Sequence, residues 1–487
     1  MKRLFFVLSS LGLVAGLLSG GLALAYRLNI ALAQHVATPG QSALDALLRF
    51  AHDARLVNIA IFMLVFVMVI ATLLTVAERK WSALMQDRIG PNRAKIAGFQ
   101  FVGLFHIAAD AVKMIFKEDF RPQAANRFLF QLGPILSFAP AFALFAVVPA
   151  GPAIYEAGVR VSLAVSEPDF GLLYVFAIAS LAVFGTSLAG WASNNKFALL
   201  GGVRASSQMI SYEVALGLSL VGLMMTFATV QISPIVDGQA PYLWHLANVQ
   251  LGQWGALDVG IPAWGFILQP VGFVLFFAAS FAETKRAPFD VPEGESEIIG
   301  YFVEYSGMKF GLFMISEFVE VVVLAAILTA LFFGGWHLPF GEAWASRLPL
   351  FQDNPWIWGT FLGLVFWTKV ILLCWLQLAI RWTFPRFRYD QIQTLGWKIL
   401  LPAGLVNVFV TGALLLWGAG PRPFAMNVLT VEATPLRPLA LAGLAEIALI
   451  VILTSWRGGE AAPSMVSGHD SHSDSHSHGA AHAGGTH

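Results

Sequence analysis

Asp290, Glu293, Glu295, Glu297 and Glu304 crowd into the stretch "FDVPEGESEIIGYFVEYSGMKFG", residues 289–311. Pro288 and Pro292 break any helix arriving from the preceding apolar run, and Pro292 suits the first turn of a new one. At about 100° per residue, Glu297 then lies about 40° and Glu304 about 20° from Glu293, so these three share one helical face while Glu295 points away. Carboxylates lined up beside an apolar interior cannot all be ionised; some pair, some meet water, and some hold raised pKa values. Such groups suit a proton relay. The bland alternative is a solvated acidic loop neutralised by Lys285, Arg286 and Lys309.

Other charges bear on that choice. Glu213 follows Tyr212 inside "MISYEVALGLSLVGLMM", and Lys369 lies within "FLGLVFWTKVILLCWLQL". Glu317 and Glu320 stand one helical turn apart in "GLFMISEFVEVVVLAAILTALFF". Each costs about 2.5–3.5 kcal/mol near a bilayer centre on insertion scales, so each is expected to face protein or a wet cavity. Together with the acidic flank they favour a hydrated polar path. Glu446, alone in the last apolar run, receives no role.

The elements that position these charges are membrane helices. Only 12% of the 487 residues are charged, against about 25% in soluble domains, and 57% are hydrophobic. Ten apolar runs are long enough to span, near 4–26, 56–77, 128–149, 172–192, 209–230, 262–282, 310–334, 357–380, 399–418 and 438–455. Long period-2 alternation is absent, so the expected fold class is all-α, a polytopic transmembrane helix bundle. The segments between spans at 78–127, 193–206, 284–309 and 381–398 hold eighteen Lys and Arg. Setting aside Arg27 at the edge of the first run, the opposite segments hold six: Arg49, Arg55, Arg160, Arg347, Arg422 and Arg437. The positive-inside rule puts the first group, and with it the acidic stretch, on the cytoplasmic side.

Lys+Arg and Asp+Glu balance at 29 each, which suggests no nucleic-acid partner. The single cysteine, Cys374, cannot form an internal disulfide or an iron–sulfur cage. No nucleotide-binding glycine motif follows a strand pattern. The chain brings no recognisable redox centre, covalent cofactor or metal site of its own.

Both ends carry open questions. "MKRLFFVLSSLGLVAGLLSGGLALAY" reads as a retained helix, or as a signal peptide cut after Ala23-x-Ala25; its apolar run is longer than the usual signal core. The tail "GHDSHSDSHSHGAAHAGGTH" holds six of the eleven histidines among Ser, Gly and Ala, and reads as a disordered solvated tail rather than a defined Zn or Ni site.

Four stretches carry a resemblance: "ERKWSALMQDRIGPNRAKIAGFQ" (78–100), "GWASNNKFALLGGVRASSQMISYEVAL" (190–216), "AETKRAPFDVPEGESEIIGYFVEYSGMKFGLF" (282–313) and "RWTFPRFRYDQIQTLGWKILLP" (381–402). They resemble the H subunit of bacterial respiratory complex I, the proton-translocating NADH–quinone oxidoreductase, whose mitochondrial counterpart is its subunit 1. The resemblance spans roughly 56–417. It implies eight core spans, with one extra helix at each end and cytoplasmic amphipathic helices. The implied organisation is an N-terminal helix or signal peptide with an outer loop (1–55), the family core (56–417), an extra C-terminal helix (418–456) and the His-rich tail (457–487).

The resemblance also implies a function. Such a protein anchors the peripheral arm and contributes to a chamber that admits quinone from the bilayer. It begins a polar path toward antiporter-like membrane subunits. Quinone is then a substrate, while NADH and the iron–sulfur clusters belong to partner subunits, and the setting is a bacterial inner membrane. By motif position, Glu213, Glu283, Asp290, Glu293, Glu295, Glu297 and Glu304 serve proton coupling. Glu78, Arg79, Arg88, Asp110, Arg386, Arg388 and Asp390 serve the quinone side. Arg88 and Arg93 flank a Gly90-Pro91-Asn92 turn and serve equally well in surface docking. Asp110, Lys113 and Lys117 stand at helical spacings among apolar residues, an amphipathic interfacial helix in which His106 is a polar-face residue. The alternatives are the homologous membrane subunit of a membrane-bound hydrogenase or of a deazaflavin-dependent dehydrogenase complex, and a stand-alone ion transporter. The transporter predicts an internal repeat, and none is visible.

Overall fold

Backbone groups in hydrocarbon must be satisfied within their own segment, so long apolar runs become helices. The computed structural model describes residues 2–37, 43–95, 103–156, 159–250, 256–294, 298, 300–339, 351, 354–418 and 436–457. Along the chain, α1 (Lys2–Ala37) and the short α2 (Ala43–Asp53) precede α3 (Leu56–Met85), whose Ile59–Val67 portion is wound as π-helix. The short α4 (Phe105–Phe116) follows, then α5 (Arg127–Leu144), a hairpin of β1 (Ile154–Glu156) and β2 (Val159–Val161), α6 (Gly171–Ala192) and α7 (Lys196–Phe227). After α8 (Ile232–Asp237), a second antiparallel hairpin pairs β3 (Tyr242–Gln250) with β4 (Ala256–Pro262). Next come α9 (Gly265–Leu268), α10 (Pro270–Glu283), α11 (Gly307–Phe332), α12 (Pro355–Thr383), α13 (Tyr389–Trp417) and α14 (Arg437–Arg457).

Eight of these, α1, α3, α5, α6, α7, α11, α12 and α13, are long and apolar enough to cross a membrane among the described residues. The all-α polytopic class holds, with two small hairpins as its only departures among those residues. The expected span near 262–282 is broken. Gln269 leaves helical geometry (φ −139°, ψ 63°), and Pro270, which has no N–H to donate, starts α10 afresh. The break is buried and polar: Asn407 Nδ2 donates to Gln269 Oε1 at 3.0 Å, and Gln269 Nε2 donates to Thr411 Oγ1 at 2.9 Å. Contacts divide the chain into Met1–Leu444 and a second unit from Ala445, of which the helix to Arg457 is described. The His-rich tail lies outside the described residues.

The bundle is built around α11. Of its most apolar window 83% is buried, whereas no other candidate span exceeds 50%. A helix with so little lipid contact is where carboxylates can sit inside a membrane protein.

Among the described residues, no helix runs from Glu293 to Glu304. The described residues of 291–306 run as turns and extended chain, and Gly300 sits at φ +122°, outside the helical region. A Cβ on Gly201 of α7 would lie 2.8 Å from Tyr301 N, so this segment rests directly on α7. Glu293 and Glu304 therefore share no helical face. Glu295 and Glu297 lie outside the described residues.

Candidate functional site

The site starts from Glu317 and Glu320 of α11, both buried. Their cations come from the turn after α10. Lys285 takes a left-handed backbone (φ 55°), which sends the chain back into the bundle instead of out toward solvent. Its Nζ, fully buried, lies 3.8 Å from Glu320 Oε2, and neither that nitrogen nor either Glu320 oxygen has a hydrogen-bond partner among the described residues. Arg286 Nη1 donates to Glu78 Oε2 of α3 at 2.7 Å, while Nη2 stands 3.9 Å from Glu317 Oε2. The same guanidinium lies over the Phe318 ring, 3.8 Å from its centroid. The second Glu78 oxygen is 2.5 Å from Arg381 Nη1 of α12. One arginine thus ties the end of α3 to the central helix, and Glu78 extends the tie to α12.

Farther along the turn, Arg386 Nη2 donates to Asp290 Oδ2 at 2.6 Å, and Phe387 N–H to Pro288 O at 3.1 Å. Asn195 does two jobs at the start of α7. Its Oδ1 caps the helix by accepting from Phe197 N–H (3.0 Å), and its Nδ2 donates to Glu304 Oε1 (2.7 Å).

Burial and neighbours set the charge states outside the spans. Burial, reinforced by Glu317, pushes Asp290 up to about 6, although Arg386 and Arg381 pull the other way. Burial and the Glu317 and Asp290 carboxylates hold Glu293 well above the usual carboxylate range, against the pull of Arg286. Burial opposes the Lys285 ammonium, yet Glu320, Glu317, Glu283 and Glu293 outweigh it and raise its pKa. Tyr301, buried beside Glu317 and Glu293, is also raised. These are charges that depend on one another, so a change at one end alters the protonation of the next.

The chain of groups continues inward. Glu213 of α7, Glu283 of α10 and Glu320 line one cavity of about 20 Å³, closed by apolar residues such as Phe176, Leu216 and Phe276. That is room for about one water molecule, and three carboxylates facing it provide the polar partners such a water needs. The described groups form a series: Asp290, Glu293, Glu317, Lys285, Glu320, Glu283, Glu213, each within electrostatic reach of the next.

The sequence-predicted residues divide in space. Glu78, Glu283, Asp290, Glu293 and Arg386 meet in this cluster, and Glu213 joins through the cavity. Glu304 stands apart, held by Asn195. Arg79 and Asp110 form a separate, partly exposed pair at 2.7 Å that staples α3 to α4. Arg88 is exposed and donates to the Gln86 side chain. Arg388 and Asp390 are exposed at the start of α13, where Arg388 N–H donates to Gln391 Oε1 at 3.0 Å. Lys369 leaves the expected polar path: its Nζ donates to Phe333 O, Gly335 O and His337 O at 2.7–2.9 Å, closing off the carbonyl end of α11. Sequence reasoning treated Lys285 and Arg286 as loop counter-ions and passed over Arg381 and Tyr301 as site residues. The available signal was the pair of glutamates in α11, which requires buried cations close by. Among the described residues no group of His, Cys, Asp and Glu is arranged to hold a metal ion.

Fold and site together define a class, the polytopic membrane proteins with a series of coupled ionisable groups around a central helix. The profile of the NADH dehydrogenase family matches residues 57–412. The H 1 subunit of NADH-quinone oxidoreductase from Cytophaga hutchinsonii is 44% identical over 350 residues, 72% of this chain and 93% of that one. The H 1 subunit from Geobacter metallireducens is 41% identical over 363 residues, 74% and 97% of the two chains. NADH-quinone oxidoreductase subunit 8 of Rhodothermus marinus is 39% identical over 341 residues, 70% and 91%. The chain belongs to the NADH dehydrogenase family. Both α1 and α14 fall outside the matched span.

Proposed function

We propose that the chain is the membrane subunit of a proton-translocating NADH–quinone oxidoreductase that anchors the peripheral arm, walls the quinone chamber and couples quinone reduction to proton movement. The observation that carries this reading is the unbroken series of ionisable groups from Asp290 to Glu213. In this reading the redox groups and the NADH site belong to iron–sulfur partner subunits, and antiporter-like membrane subunits continue the path beyond Glu213. The membrane is a bacterial inner membrane with the acidic turn on its cytoplasmic side, in keeping with the lysine and arginine bias of the loops.

Reducing a quinone to a quinol consumes two electrons and two protons. Asp290, with a pKa near 6, is a group that can give up a proton near neutral pH, and Glu293 beside it holds its proton more tightly than an ordinary carboxylate. Loss of a proton there leaves a new negative charge beside Glu317. The Lys285 and Arg286 cations respond by redistributing between Glu317, Glu320 and Glu78, and Glu283 and Glu213 take or release protons in turn. Arg286 and Arg381 hold Glu78 in place, and Arg79–Asp110 fixes α4 beside it as one wall of the entrance.

Glu213→Gln tests the reading in the assembled complex. An amide cannot change protonation, so quinone-reductase turnover and proton pumping fall, by about 10²-fold or more if the group transfers a proton in the limiting step. Full turnover and pumping in an intact complex would remove Glu213 from the path. The subunit composition of the purified complex identifies the electron donor.

A further inference from the structure

The turn that carries Glu283, Lys285, Arg286 and Asp290 holds itself together weakly. Among the described residues its backbone bonds to itself and to the end of α10 are Thr284 N–H to Ser280 O at 3.1 Å, Lys285 N–H to Ala282 O at 3.3 Å and Phe289 N–H to Arg286 O at 2.8 Å. A stronger tie comes from α7. Gln208 lies one helical turn before Tyr212, fully buried, and its Nε2 donates to both Ala282 O and Phe289 O at 2.8 Å. Both acceptors are carbonyls, so only the amide nitrogen can occupy that place, whichever way the side chain is turned. One –NH₂ thus spans the two ends of the turn. The amide oxygen has no hydrogen-bond partner among the described residues. A buried amide with both donors used and its acceptor idle is under-satisfied, which makes the closed arrangement less strongly favoured than a fully paired one.

We propose that Gln208 is a positioning residue for the coupling path. By clasping Ala282 O to Phe289 O it keeps the 283–289 turn closed, with Lys285 and Arg286 against Glu320, Glu317 and Glu78 and with Asp290 out of water. This rests on the function proposed above.

The remaining ties of the turn fit a hinge on the opposite side. There Phe289 packs on Phe387, with ring centroids 5.5 Å apart, and Arg386 and Phe387 hold Asp290 and Pro288; on the α7 side the Tyr212 ring, also 5.5 Å from that of Phe289, is an apolar contact. Releasing the clasp removes the polar tie to α7 and leaves only the Tyr212 ring contact there, while the 386–387 side stays attached. The groups that face Asp290 are Arg386 and Arg381 on one side and Glu317 and Glu293 on the other. With the turn open those partners remain within reach but burial is lost. Burial is the main cause of the raised Asp290 pKa, so that value moves down toward the ordinary carboxylate range.

The experiment uses the assembled complex with Gln208→Leu, which keeps the shape and removes the donors, and Gln208→Asn, which keeps the amide but withdraws it by one methylene. The chain has one native cysteine, Cys374, and it is buried, so a thiol introduced as Ala287→Cys reports on the turn against a low background once this chain is separated from its labelled partners on a gel. We expect maleimide labelling at 287 to be severalfold faster in both variants than with Gln208 present. We also expect the limb of the turnover–pH profile near pH 6 to shift toward lower pH. Unchanged labelling in both variants overturns the clasp, and faster labelling with an unmoved pH limb overturns its positioning role. Should Gln208→Leu fail to assemble, the milder Gln208→Asn alone decides between these outcomes. The labelling result stands whether or not quinone is the substrate, so failure of the clasp and failure of the proposed function are told apart.

Discussion

Arg286 Nη1 and Glu78 Oε2 lie 2.7 Å apart although 208 residues separate them in the chain. The same guanidinium reaches toward Glu317 on the central helix, so a single cation joins the end of α3 to α11. Arg286→Met removes the cation and leaves Glu317 facing the interior without it. Breaking a buried pair from one side costs roughly 3–5 kcal/mol, which is read as a lower Tm of the purified complex together with a loss of turnover. Arg286→Lys keeps the charge but cannot address two carboxylates with a planar fork, and its Tm is expected between the two. A Met variant as stable as the parent would show that the arginine does not hold α3 to α11.

Asp290 sets a pH dependence with a definite sign. Its pKa of about 6 in the folded protein exceeds the value of about 3.9 expected in an unfolded chain, so between those values the folded state binds more protons. Its stabilising contribution is complete below about pH 4 and is lost as the pH rises through about 6. In Asp290→Asn that loss disappears. Thermal unfolding of the complex from pH 4.5 to 7.5 should therefore show a flatter Tm profile for the variant, and superimposable profiles would refute the assignment.

The N-terminal helix is expected to remain in the mature protein. Ala25, the last residue of the candidate cleavage motif, is fully buried in the middle of α1. Tyr26, also fully buried, donates its hydroxyl to Pro152 O at 2.7 Å and fills the notch left by Gly359 of α12, where a Cβ would come within 2.7 Å of the ring. Asn29 then donates to Asn58 Oδ1 at 2.8 Å, and Asn58 donates to Ser162 O and Ala164 O. The intact mass of the purified chain should include residues 1–25. Tyr26→Ala should cost about 3–5 kcal/mol, the usual range for emptying a large aromatic site. A mature N-terminus at Tyr26 would contradict this.

A stop codon after Arg457 should leave assembly and turnover unchanged, because a polar low-complexity tail buries too little to stabilise an interface. Loss of the complex on truncation, together with a zinc requirement in the full-length chain, would assign the histidines a structural metal role.

What the sequence determined by itself follows from local rules. Hydrocarbon forces helix on any long apolar run, so the bundle and most of its spans were legible residue by residue. An ionisable group in such a run must face protein, which marked Glu213, Glu317 and Glu320 without any knowledge of their neighbours. Amphipathic spacing placed α4, described at Phe105–Phe116. Local periodicity failed at Glu293 because Gly300 takes φ +122°, a backbone that no helix running from Glu293 to Glu304 can contain. Lys369 does face protein, as an ionisable group in an apolar run must, but three carbonyls just past α11 take its ammonium away from the polar path. Local periodicity also could not tell which cation serves which acid. Lys285 and Arg286 look like loop charges in sequence, and only the reversal at φ 55° followed by the packing of α3, α7, α11 and α12 turns them inward. Charge pairing acts over a few ångströms of space and is indifferent to separation along the chain, so the partners of the buried carboxylates became visible only once the helices were assembled.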